Sequence, residues 1–370
     1  MVNSPNTLII DLRSLEFNLA QIKKYVKGTR IMGIVKSDAY GHGLVRISRT
    51  LEKNGIYCLG VSFVSEAVML RNEGIKVPIV VLCGIETTED AYSVIENDLT
   101  PVVFDMTSAE MIERAALDRS KKAHIHIKID TGMGRLGIDL DDTVDFLREL
   151  SKFKALIPEG LLSHLSSADE EDTSFTAKQI EKFRKAVSES GQPGMKMNHL
   201  ANSAGIMAYG DSYFDMVRPG IILYGGLPCP GYKPPFELKP VMSFKGRILQ
   251  IHNFKGNTPV GYGRTYYTDG PKQIAVISAG YADGLPRSLS KRGKVLVGGR
   301  KVNITGSVCM NMLACDVTGI EGLKPDDECV IMGSQGNETI TVDEIAEWCD
   351  TISYEILLSI GRSSEKKYIP

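Results

Sequence analysis

The sequence predicts an α/β protein in which a (β/α)8 TIM-type barrel is followed by a mainly-β C-terminal domain. Between residues 31 and about 223, short apolar runs alternate with longer amphipathic runs, as repeated β/α units around a parallel sheet require. Segment 227–235, LPCPGYKPP, is dense in Pro and Gly and breaks both periodicities. Beyond it, strand-like runs are separated by turn residues rather than by helices. We therefore assign residues 1–230 to the barrel and residues 231–370 to the second domain.

The overall composition indicates a protein that acts on a small molecule. The 370 residues include 43 basic and 45 acidic side chains, a formal charge of −2, which favours neither nucleic acid nor an anionic membrane as a partner. The seven cysteines are scattered without a paired C-x-x-C spacing, so neither a disulfide framework nor a metal site is predicted. No apolar run reaches the length of a membrane span, and we expect a cytoplasmic location.

Eight strand candidates precede the Pro/Gly-rich segment, which is the number that a closed β/α barrel needs. Helical patterns lie between them, for example at 65–72, 107–117 and 175–190. The eight candidates are segments 31–35, 56–61, 78–82, 100–104, 123–130, 157–163, 195–199 and 216–223.

The second domain is predicted to contain a helix late in the chain. Segment 342–348 has a helical pattern and follows Thr341, with Glu344 three residues further on, which is the spacing of a capping box. The strand-like runs that precede this helix are 241–251, 273–278, 294–297, 302–305, 313–317 and 328–332.

A lysine stands at the carboxyl end of the first barrel strand, in segment 35–43, VKSDAYGHG. Burial there disfavours the ammonium form of Lys36, so its amine can condense with an aldehyde as a Schiff base. Tyr40 could reach a phosphate group, with Gly41 and Gly43 leaving room for the backbone. Together these features indicate pyridoxal phosphate. The alternative is a surface lysine before a Gly-rich turn.

The fifth strand alternates strictly, since segment 124–130 reads HIHIKID. The three isoleucines share one face and would meet the helices, while His, His, Lys and Asp share the other face and would point into the barrel. Lys128, if buried, needs a partner or must lose its charge. The alternative is that one or more of these polar residues is exposed near a strand end.

Polar residues recur where the predicted strands end. The carboxyl ends of the strands form the catalytic face of a β/α barrel, so side chains at these positions are candidates for chemistry. The candidates at or near these ends are Lys36, Asp130, Arg135, His164, His199 and Arg218.

Several segments, taken together, resemble those of alanine racemases. They occur in the order found in that family, from residue 34 to residue 355, which is more specific than any one of them. The segments are VKSDAYGHG (35–43), KIDTGMGRLG (128–137), NHLANS (198–203), RPGIILYG (218–225), GYGRT (261–265), AGYADG (279–284), CMN (309–311) and ISYE (352–355). The resemblance implies a pyridoxal 5'-phosphate-dependent racemase of fold-type III that interconverts L-alanine and D-alanine and supplies D-alanine for cell-wall peptidoglycan.

The resemblance implies two proton-transferring residues. Lys36 would bind the cofactor and exchange the α-proton on the face used for the D-isomer, and Tyr262 would do so on the opposite face for the L-isomer. Inversion needs a base on each face of the substrate, because a single base that returns the proton to the same face regenerates the original configuration. A free tyrosine with a pKa near 10 is a poor base, so its proton must be drawn off by positive neighbours or by a histidine, for which the family suggests His164.

The resemblance also assigns the cofactor's ring nitrogen to Arg218, oriented by His199. A guanidinium group scarcely gives up a proton, so the pyridine nitrogen stays unprotonated and the electron sink is weakened. A less stabilised carbanion is reprotonated quickly, which favours racemisation over transamination.

The remaining implied contacts concern the phosphate and the substrate. Arg135 would touch the phenolic oxygen of the cofactor and the substrate carboxylate, helped by the backbone amide of Met310. Lys128 stands where some members of the family carry a carbamylated lysine, which would steer Arg135. The implied phosphate-binding residues are Tyr40, Ser203, Gly220, Ile221 and Tyr354.

The family places Tyr262, Tyr281 and Met310 in the active site of the neighbouring subunit, which implies a homodimer with shared sites. A monomer with a long interdomain fold-back would satisfy the same spacing. Two departures concern the entrance to the site: Asn311 stands where the family commonly has aspartate, and Ser307 where arginine is common. Both would change the charge near the entrance without altering the proton-transferring groups.

Three other functions stay open at this point. One is a racemase for another small amino acid or for a broader range of them, and another is a decarboxylase of related fold. The third is a non-catalytic pyridoxal-phosphate carrier built on the same barrel. Such carriers lack the β-domain, so the block from Val241 to Tyr354 argues against that reading.

Overall fold

The computed structural model describes residues 5–190, 195–229 and 231–370. Its first strand, β1 (Thr7–Asp11), joins the sheet of the second domain, and the barrel strands follow it along the chain. These are β2 (Arg30–Ile34), β3 (Cys58–Val61), β4 (Ile79–Val81), β5 (Thr100–Val103), β6 (Ala123–Asp130), β7 (Ile138–Asp139), β8 (Leu156–Leu162) and β9 (Met216–Val217).

The barrel strands are parallel and neighbour one another in the order β9, β2, β3, β4, β5, β6, β8, with the short β7 extending one end of β6. Helices connect them and cover the outside. The helices before the second domain are α1 (Leu12–Tyr25), α2 (Lys36–Tyr40), α3 (Leu44–Lys53), α4 (Val64–Asn72), α5 (Thr88–Glu96), α6 (Met106–Asp118), α7 (Thr143–Leu150), α8 (Ser174–Glu189) and α9 (Ser203–Ala208). The predicted β/α barrel is confirmed.

The seventh predicted strand, 195–199, is not a regular strand, although its backbone still closes the barrel. His199 donates its N–H to the carbonyl of Leu161 over 2.9 Å, and on the other side Arg218 donates to the carbonyl of Ala201 over 3.0 Å. The side-chain oxygen of Asn198 accepts the N–H of Leu161 at 3.0 Å. A side chain thus replaces part of the backbone ladder, which is why only an isolated bridge at His199 remains.

The eighth predicted strand, 216–223, was wrong in its second half. Only Met216–Val217 is extended, and Ile221–Tyr224 forms a 3-10 turn. Pro219 lies between the two and has no N–H to donate, so the sheet ladder cannot continue through it. The short strand thus ends directly before Arg218.

The second domain is mainly β, as predicted. Strand β10 pairs with both β13 and β17, so that six strands, β10, β13, β16, β15, β14 and β17, form a closed circle. The elements are β10 (Met242–Phe254), β11 (Pro259–Val260), β12 (Tyr266–Tyr267), β13 (Lys272–Ile277), β14 (Lys294–Val297), β15 (Arg300–Thr305), β16 (Leu313–Asp316), β17 (Glu328–Gln335), β18 (Glu338–Ile340), α10 (Val342–Cys349), α11 (Ser353–Ser359) and β19 (Lys366–Ile369).

The predicted capping box at the start of α10 is present. Thr341 accepts the N–H of Glu344 on its hydroxyl over 3.1 Å, and the carboxylate of Glu344 accepts the N–H of Thr341 over 2.9 Å. Helices α10 and α11 pack on each other, and α11 reaches α2 of the barrel. The second domain therefore extends to the catalytic face of the first.

The chain crosses between the two domains at its start as well as near residue 230. Strand β1 pairs antiparallel with β10 and parallel with β19, so an N-terminal strand is built into the C-terminal sheet. Asn18 of α1 donates to the carbonyls of Leu223 and Lys239 and accepts the N–H of Lys239, which fastens both ends of the connecting segment. The division at residue 230 stays a prediction, and Pro230 lies outside the described residues.

Within the described residues, the helices fall short of the length and apolar character needed to span a membrane.

Candidate active site

A cavity of about 320 Å³ opens at the carboxyl ends of the barrel strands. Its walls combine a lysine, two arginines and a histidine with two tyrosines, and α11 of the second domain closes one side. The lining residues are Ile34, Lys36, Ser37, Tyr40, Leu82, Arg135, His164, Asn202, Ser203, Arg218, Gly220, Tyr354 and Leu358.

Lys36 is followed by a turn of left-handed backbone. Ser37, Asp38, Ala39 and Tyr40 have φ angles of 55°, 54°, 53° and 54°. Each such residue with a Cβ costs roughly 1–2 kcal/mol, so the turn needs support from its surroundings. Glu66 accepts the N–H of Ser37 at 2.6 Å, while Asp38 accepts the N–H of Leu44 at 2.7 Å and pairs with Lys366 at 2.8 Å.

The amine of Lys36 has the electrostatics expected of a nucleophile. Burial lowers its pKa below the ordinary lysine value, and the neighbouring Arg135 cation acts in the same direction, partly opposed by Cys83 and Glu66. The lower pKa raises the fraction of free amine at neutral pH. The sequence-based expectation of a partly desolvated lysine at the strand end thus agrees with the structure.

Arg218 is the most enclosed cation of the site, with 4% of its surface exposed. Its Nη1 donates to the carbonyl and to Nδ1 of His199, over 2.8 and 2.7 Å. Its Nη2 donates to the carbonyls of Ser163 and Leu200, over 2.6 and 3.0 Å, and lies 3.2 Å from Nδ1 of His164. Among the described residues, its Nε–H has no acceptor, although Arg218 lines the cavity.

The two histidines next to Arg218 are neutral. Burial, together with the guanidinium charge, lowers the pKa of His164 and of His199 well below the usual value. A guanidinium can only donate, so Nδ1 of each ring must be the bare nitrogen and Nε2 must carry the proton. For His199 this places the ring N–H toward Nδ1 of His126, at 2.8 Å.

Another part of the cavity lining carries neutral hydroxyls and one backbone amide. Ser203 accepts the N–H of Gly220 on its hydroxyl over 2.9 Å, and a Cβ at Gly220 would overlap the hydroxyl of Tyr40. Burial raises the pKa of Tyr40 and of Tyr354, so both stay protonated and can donate. Ile221, which was predicted beside them, is fully buried.

Arg135 is carried by a loop that Asp130 folds. The carboxylate of Asp130 accepts the N–H groups of Gly132, Met133 and Gly134 over 2.8, 2.7 and 2.8 Å. Asp130, singled out as a strand-end residue, therefore shapes the loop from outside the cavity lining. Arg135 at the far side of this loop reaches the cavity.

The polar face of β6 points into the barrel as predicted, except at its first residue. His126 and Lys128 are buried, with 0% and 8% exposure, whereas His124 is exposed and pairs with Glu159 at 2.8 Å. Burial, with the charges of Arg218, Arg135 and Lys36, lowers the pKa of Lys128 to about 8. The alternative that one of these polar residues lies in solvent holds for His124 alone.

Tyr262, Tyr281 and Met310 do not line this cavity. Their exposed fractions are 72%, 40% and 55%, and they share one surface of the second domain. The backbone joins them, because Tyr281 donates its N–H to the carbonyl of Cys309 and Ser307 donates its hydroxyl to the carbonyl of Tyr262. Within one chain, Lys36 therefore lies in the cavity, whereas the predicted tyrosine base lies on the surface of the second domain.

Two family models match the chain in sequence. The alanine racemase N-terminal domain matches residues 10–228, and the alanine racemase C-terminal domain matches residues 241–368. The chain belongs to the alanine racemase family. The resemblance inferred from the motifs is confirmed.

Individual members of the family are similar over nearly the whole chain. The alanine racemase of Syntrophobacter fumaroxidans is 44% identical over 361 residues, which cover 97% of this chain and 96% of that protein. That of Thermodesulfovibrio yellowstonii is 40% identical over 365 residues, with the same two coverages of 97% and 96%. The solved alanine racemase of Clostridium difficile 630 superposes with a TM-score of 0.90 at 33% identity, covering 100% of this chain and 97% of that one.

Alanine racemases depend on pyridoxal 5'-phosphate, so the expected cofactor and the enzyme class, an amino-acid racemase, are confirmed. The residues of the cavity fit that cofactor. Lys36 offers a free amine for its aldehyde, and the Nε–H of Arg218 offers an unused donor for its ring nitrogen. The hydroxyls around Gly220, with no carboxylate in the cavity lining, suit a phosphate dianion.

Sequence reasoning missed several residues of the site. Leu82, Asn202 and Leu358 line the cavity, and Glu66 holds the turn after Lys36. Asn202 carried a signal, since it precedes the predicted Ser203 and caps α9 by accepting the N–H of Gly205. Leu358 also carried one, because it lies one helical turn after Tyr354. Glu66 lies 29 residues from its partner, so local pattern could not reveal it.

Replacing Lys128 by methionine tests the burial of its ammonium group. In the folded chain the pKa of Lys128 is about 8, against 10.5 for an unburied lysine. Between these pH values the unfolded chain binds more protons at this position than the folded chain, so the free energy of unfolding rises with pH. We expect Lys128→Met to lose much of that rise, measured by urea denaturation in carbon-dioxide-free buffer.

The exposed Lys182 on α8 provides the control, because Lys182→Met removes an equivalent charge without burial. It should keep the wild-type rise in stability between pH 8 and 10.5. An unchanged rise in Lys128→Met would show that the ammonium is solvated in the folded chain.

Proposed function

We propose that this chain interconverts L-alanine and D-alanine, with pyridoxal 5'-phosphate in the cavity and with Lys36 and Tyr262 exchanging the α-proton on opposite faces. The product D-alanine would serve cell-wall synthesis. The observation that supports this most directly is the pairing, in one cavity, of a desolvated lysine with an arginine whose Nε–H has no protein acceptor. When bound, the cofactor withdraws electrons from the substrate Cα and so acidifies its hydrogen.

Lys36 provides the base on one face. The lowered pKa of its amine leaves part of it unprotonated at neutral pH, so it can accept the α-proton and return it. Glu66 holds the backbone N–H of the next residue and thereby limits where the amine can move.

Arg218 provides a donor that stays protonated. Burial lowers its pKa to about 9, which is still above neutral pH. Its two amino groups are engaged by His199, Ser163, Leu200 and His164, so the Nε–H is the group left for the ring nitrogen. Such a donor leaves the ring nitrogen unprotonated and favours racemisation over transamination.

The phosphate would be held by the hydroxyls of Tyr40, Ser203 and Tyr354 and by the backbone amides of Gly220 and Ile221. The raised pKa values of the two tyrosines keep their hydroxyls as donors. In this role, Ser203 exchanges its contact with the N–H of Gly220 for one with the phosphate, which also frees that N–H to donate.

The substrate carboxylate would be bound by Arg135, helped by the backbone amide of Met310. Lys128 would assist if it carries a carbamate, since a carboxylate there would attract Arg135. Its pKa of about 8 favours the modification, because carbon dioxide reacts with the neutral amine. We expect ¹³C NMR to show a carbamate carbonyl signal after the protein is exposed to ¹³CO2. The signal should be absent in Lys128→Met.

Tyr262 would act in the cavity of a second copy of the chain, within a homodimer. Tyr262, Tyr281, Met310 and Met312 form an exposed surface away from the cavity of their own chain, with 72%, 40%, 55% and 43% exposure. A surface of large side chains with this exposure is typical of an interface. His164 would meet the phenol, and because its Nε2 carries the proton, the phenol oxygen would accept from it.

The cytoplasmic location remains a prediction of the sequence.

Solvent deuterium incorporation tests the two-base assignment. Wild type should incorporate deuterium at Cα while inverting alanine, and should do so faster with L- and D-alanine than with L-serine. Lys36→Ala and Tyr262→Phe should each lose inversion by at least about a hundredfold, since one acid/base group is removed. Tyr267→Phe, which alters an exposed tyrosine of the same hairpin, should behave as wild type.

Other outcomes of this measurement would point elsewhere. Retained inversion in Tyr262→Phe would refute the second base, and carbon dioxide release would indicate a decarboxylase. Cofactor binding without any exchange of the α-proton would indicate a carrier.

Mixing the two inactive variants tests the shared site. If Tyr262 of one subunit completes the cavity of the other, a hybrid of Lys36→Ala with Tyr262→Phe contains one intact site. Random pairing makes about half of the dimers hybrid, so about a quarter of wild-type activity should return. No recovery, with hybrid dimers demonstrated by mass spectrometry, would place both residues in the site of a single chain.

A further inference from the structure

We infer that a relay of fixed direction positions Arg218: hydrogen bonds run from its guanidinium through His199 to His126, and the carboxylate of Glu159 acts electrostatically on the last imidazole. In this relay His126 and Glu159 are positioning residues, which touch neither substrate nor cofactor. The inference rests on the proposed function in one respect, because that function assigns the Nε–H of Arg218 to the ring nitrogen of the cofactor.

The direction of the relay follows from the chemistry of its first donor. Nη1 of Arg218 lies 2.7 Å from Nδ1 of His199 and has no lone pair to offer, so Nδ1 must accept. The neutral His199 then carries its proton on Nε2, which lies 2.8 Å from Nδ1 of His126. His126 in turn must accept on Nδ1, so the proton of its ring is on Nε2.

The relay ends at a carboxylate. Nε2 of His126 lies 3.8 Å from Oε2 of Glu159, which is too long for a hydrogen bond, so the carboxylate charge acts on the Nε2–H dipole across that gap. His126 is fully buried, and within the described residues its Nε2 has no hydrogen-bond partner. A buried N–H of this kind requires an explanation, and the facing carboxylate provides one.

Glu159 is held in place and kept ionised. Its other oxygen, Oε1, lies 2.8 Å from Nδ1 of the exposed His124. The imidazoles of His126 and His124 lower the pKa of Glu159, so it stays a carboxylate at neutral pH. His124 and His126 are two residues apart on β6, and Glu159 faces them from the paired strand β8.

Arg218 needs such a counter-charge. The acceptors around its guanidinium are carbonyls and neutral imidazoles, and no carboxylate lies within ion-pair distance of it among the described residues. A buried cation without a paired charge is unstable unless its surroundings are polarised toward it. Glu159 supplies negative potential through two successive imidazoles, and each ring becomes a better acceptor for the donor before it.

The direction of the relay is tested by ¹⁵N NMR of histidine-labelled apoenzyme. The chain has only six histidines, so single substitutions can assign the ring signals. At neutral pH we expect His199 and His126 to be neutral, each with a protonated Nε2 and a bare Nδ1. A protonated Nδ1 in either ring, or a doubly protonated His126, would overturn the relay.

The positioning role is tested by cofactor affinity. His126→Leu removes the acceptor of the His199 N–H, and we expect the Kd of the apoenzyme for pyridoxal 5'-phosphate to rise about tenfold, the worth of one such hydrogen bond. The kcat for alanine should fall with it, while KM changes less than about twofold, because the carboxylate of alanine is bound elsewhere. Glu159→Gln keeps the shape of the side chain and loses its charge. It should raise Kd and lower kcat, each by less than His126→Leu does.

Two variants serve as controls. His126→Asn places an amide oxygen where Nδ1 accepts, so it should restore Kd to within about threefold of wild type. His124→Gln keeps an N–H donor toward Oε1 of Glu159 at the exposed end of the relay, so Kd and kcat should stay close to those of wild type. Equal losses in His126→Asn and His126→Leu would reduce His126 to a packing role and overturn the proposal; if His126→Leu does not fold, wild-type Kd in Glu159→Gln has the same consequence.

The NMR result and the activity can fail separately. If the ring protons are in the expected positions but the enzyme does not racemise alanine, the relay is supported and the proposed function is refuted. If the enzyme racemises alanine normally but the ring protons are on Nδ1, the proposed function is supported and the relay is refuted.

Discussion

The enclosure of one guanidinium group inside the barrel is the constraint on which the rest of the site depends. Arg218 is 4% exposed and is surrounded by backbone carbonyls and two imidazoles. A buried cation is tolerated only where most of its N–H groups find acceptors, as the Nη1 and Nη2 groups do here. That requirement makes Nδ1 of both His199 and His164 an acceptor, and so decides which way each ring can donate. The tautomers of these two rings therefore follow from a single positive charge.

Residues of both domains form the cavity. The left-handed turn after Lys36 is unfavourable by itself, and contacts from distant parts of the chain offset its cost. Glu66 holds its first N–H, and Lys366 of the last strand pairs with Asp38. Helix α11 contributes Tyr354 to the wall. A loss of docking between the domains would thus relax the turn that carries Lys36 and Tyr40.

Most of the fold could be predicted from periodicity, and the failures have physical causes. Candidates such as 123–130 and 294–297 coincide with observed strands, since alternation or apolar runs follow directly from which faces are buried. Segment 195–199 failed because a side chain, Asn198, takes over a ladder contact. Strand β1 was not predicted at all, because its partners lie more than 200 residues away in the chain. Local pattern carries no information about such pairings.

The sequence by itself determined the chemistry available: a lysine and an arginine at predicted strand ends, glycines beside them that leave the backbone room, and motifs in the order of the alanine racemase family. Residue type and spacing suffice for this, since they specify functional groups and local conformation. Only the tertiary structure decided which of these groups share a cavity, that Tyr262 lies outside the cavity of its own chain, and that Glu159 stands behind Arg218. Burial and the direction of hydrogen bonds depend on neighbours that are remote in sequence, and they exist only once the chain has folded.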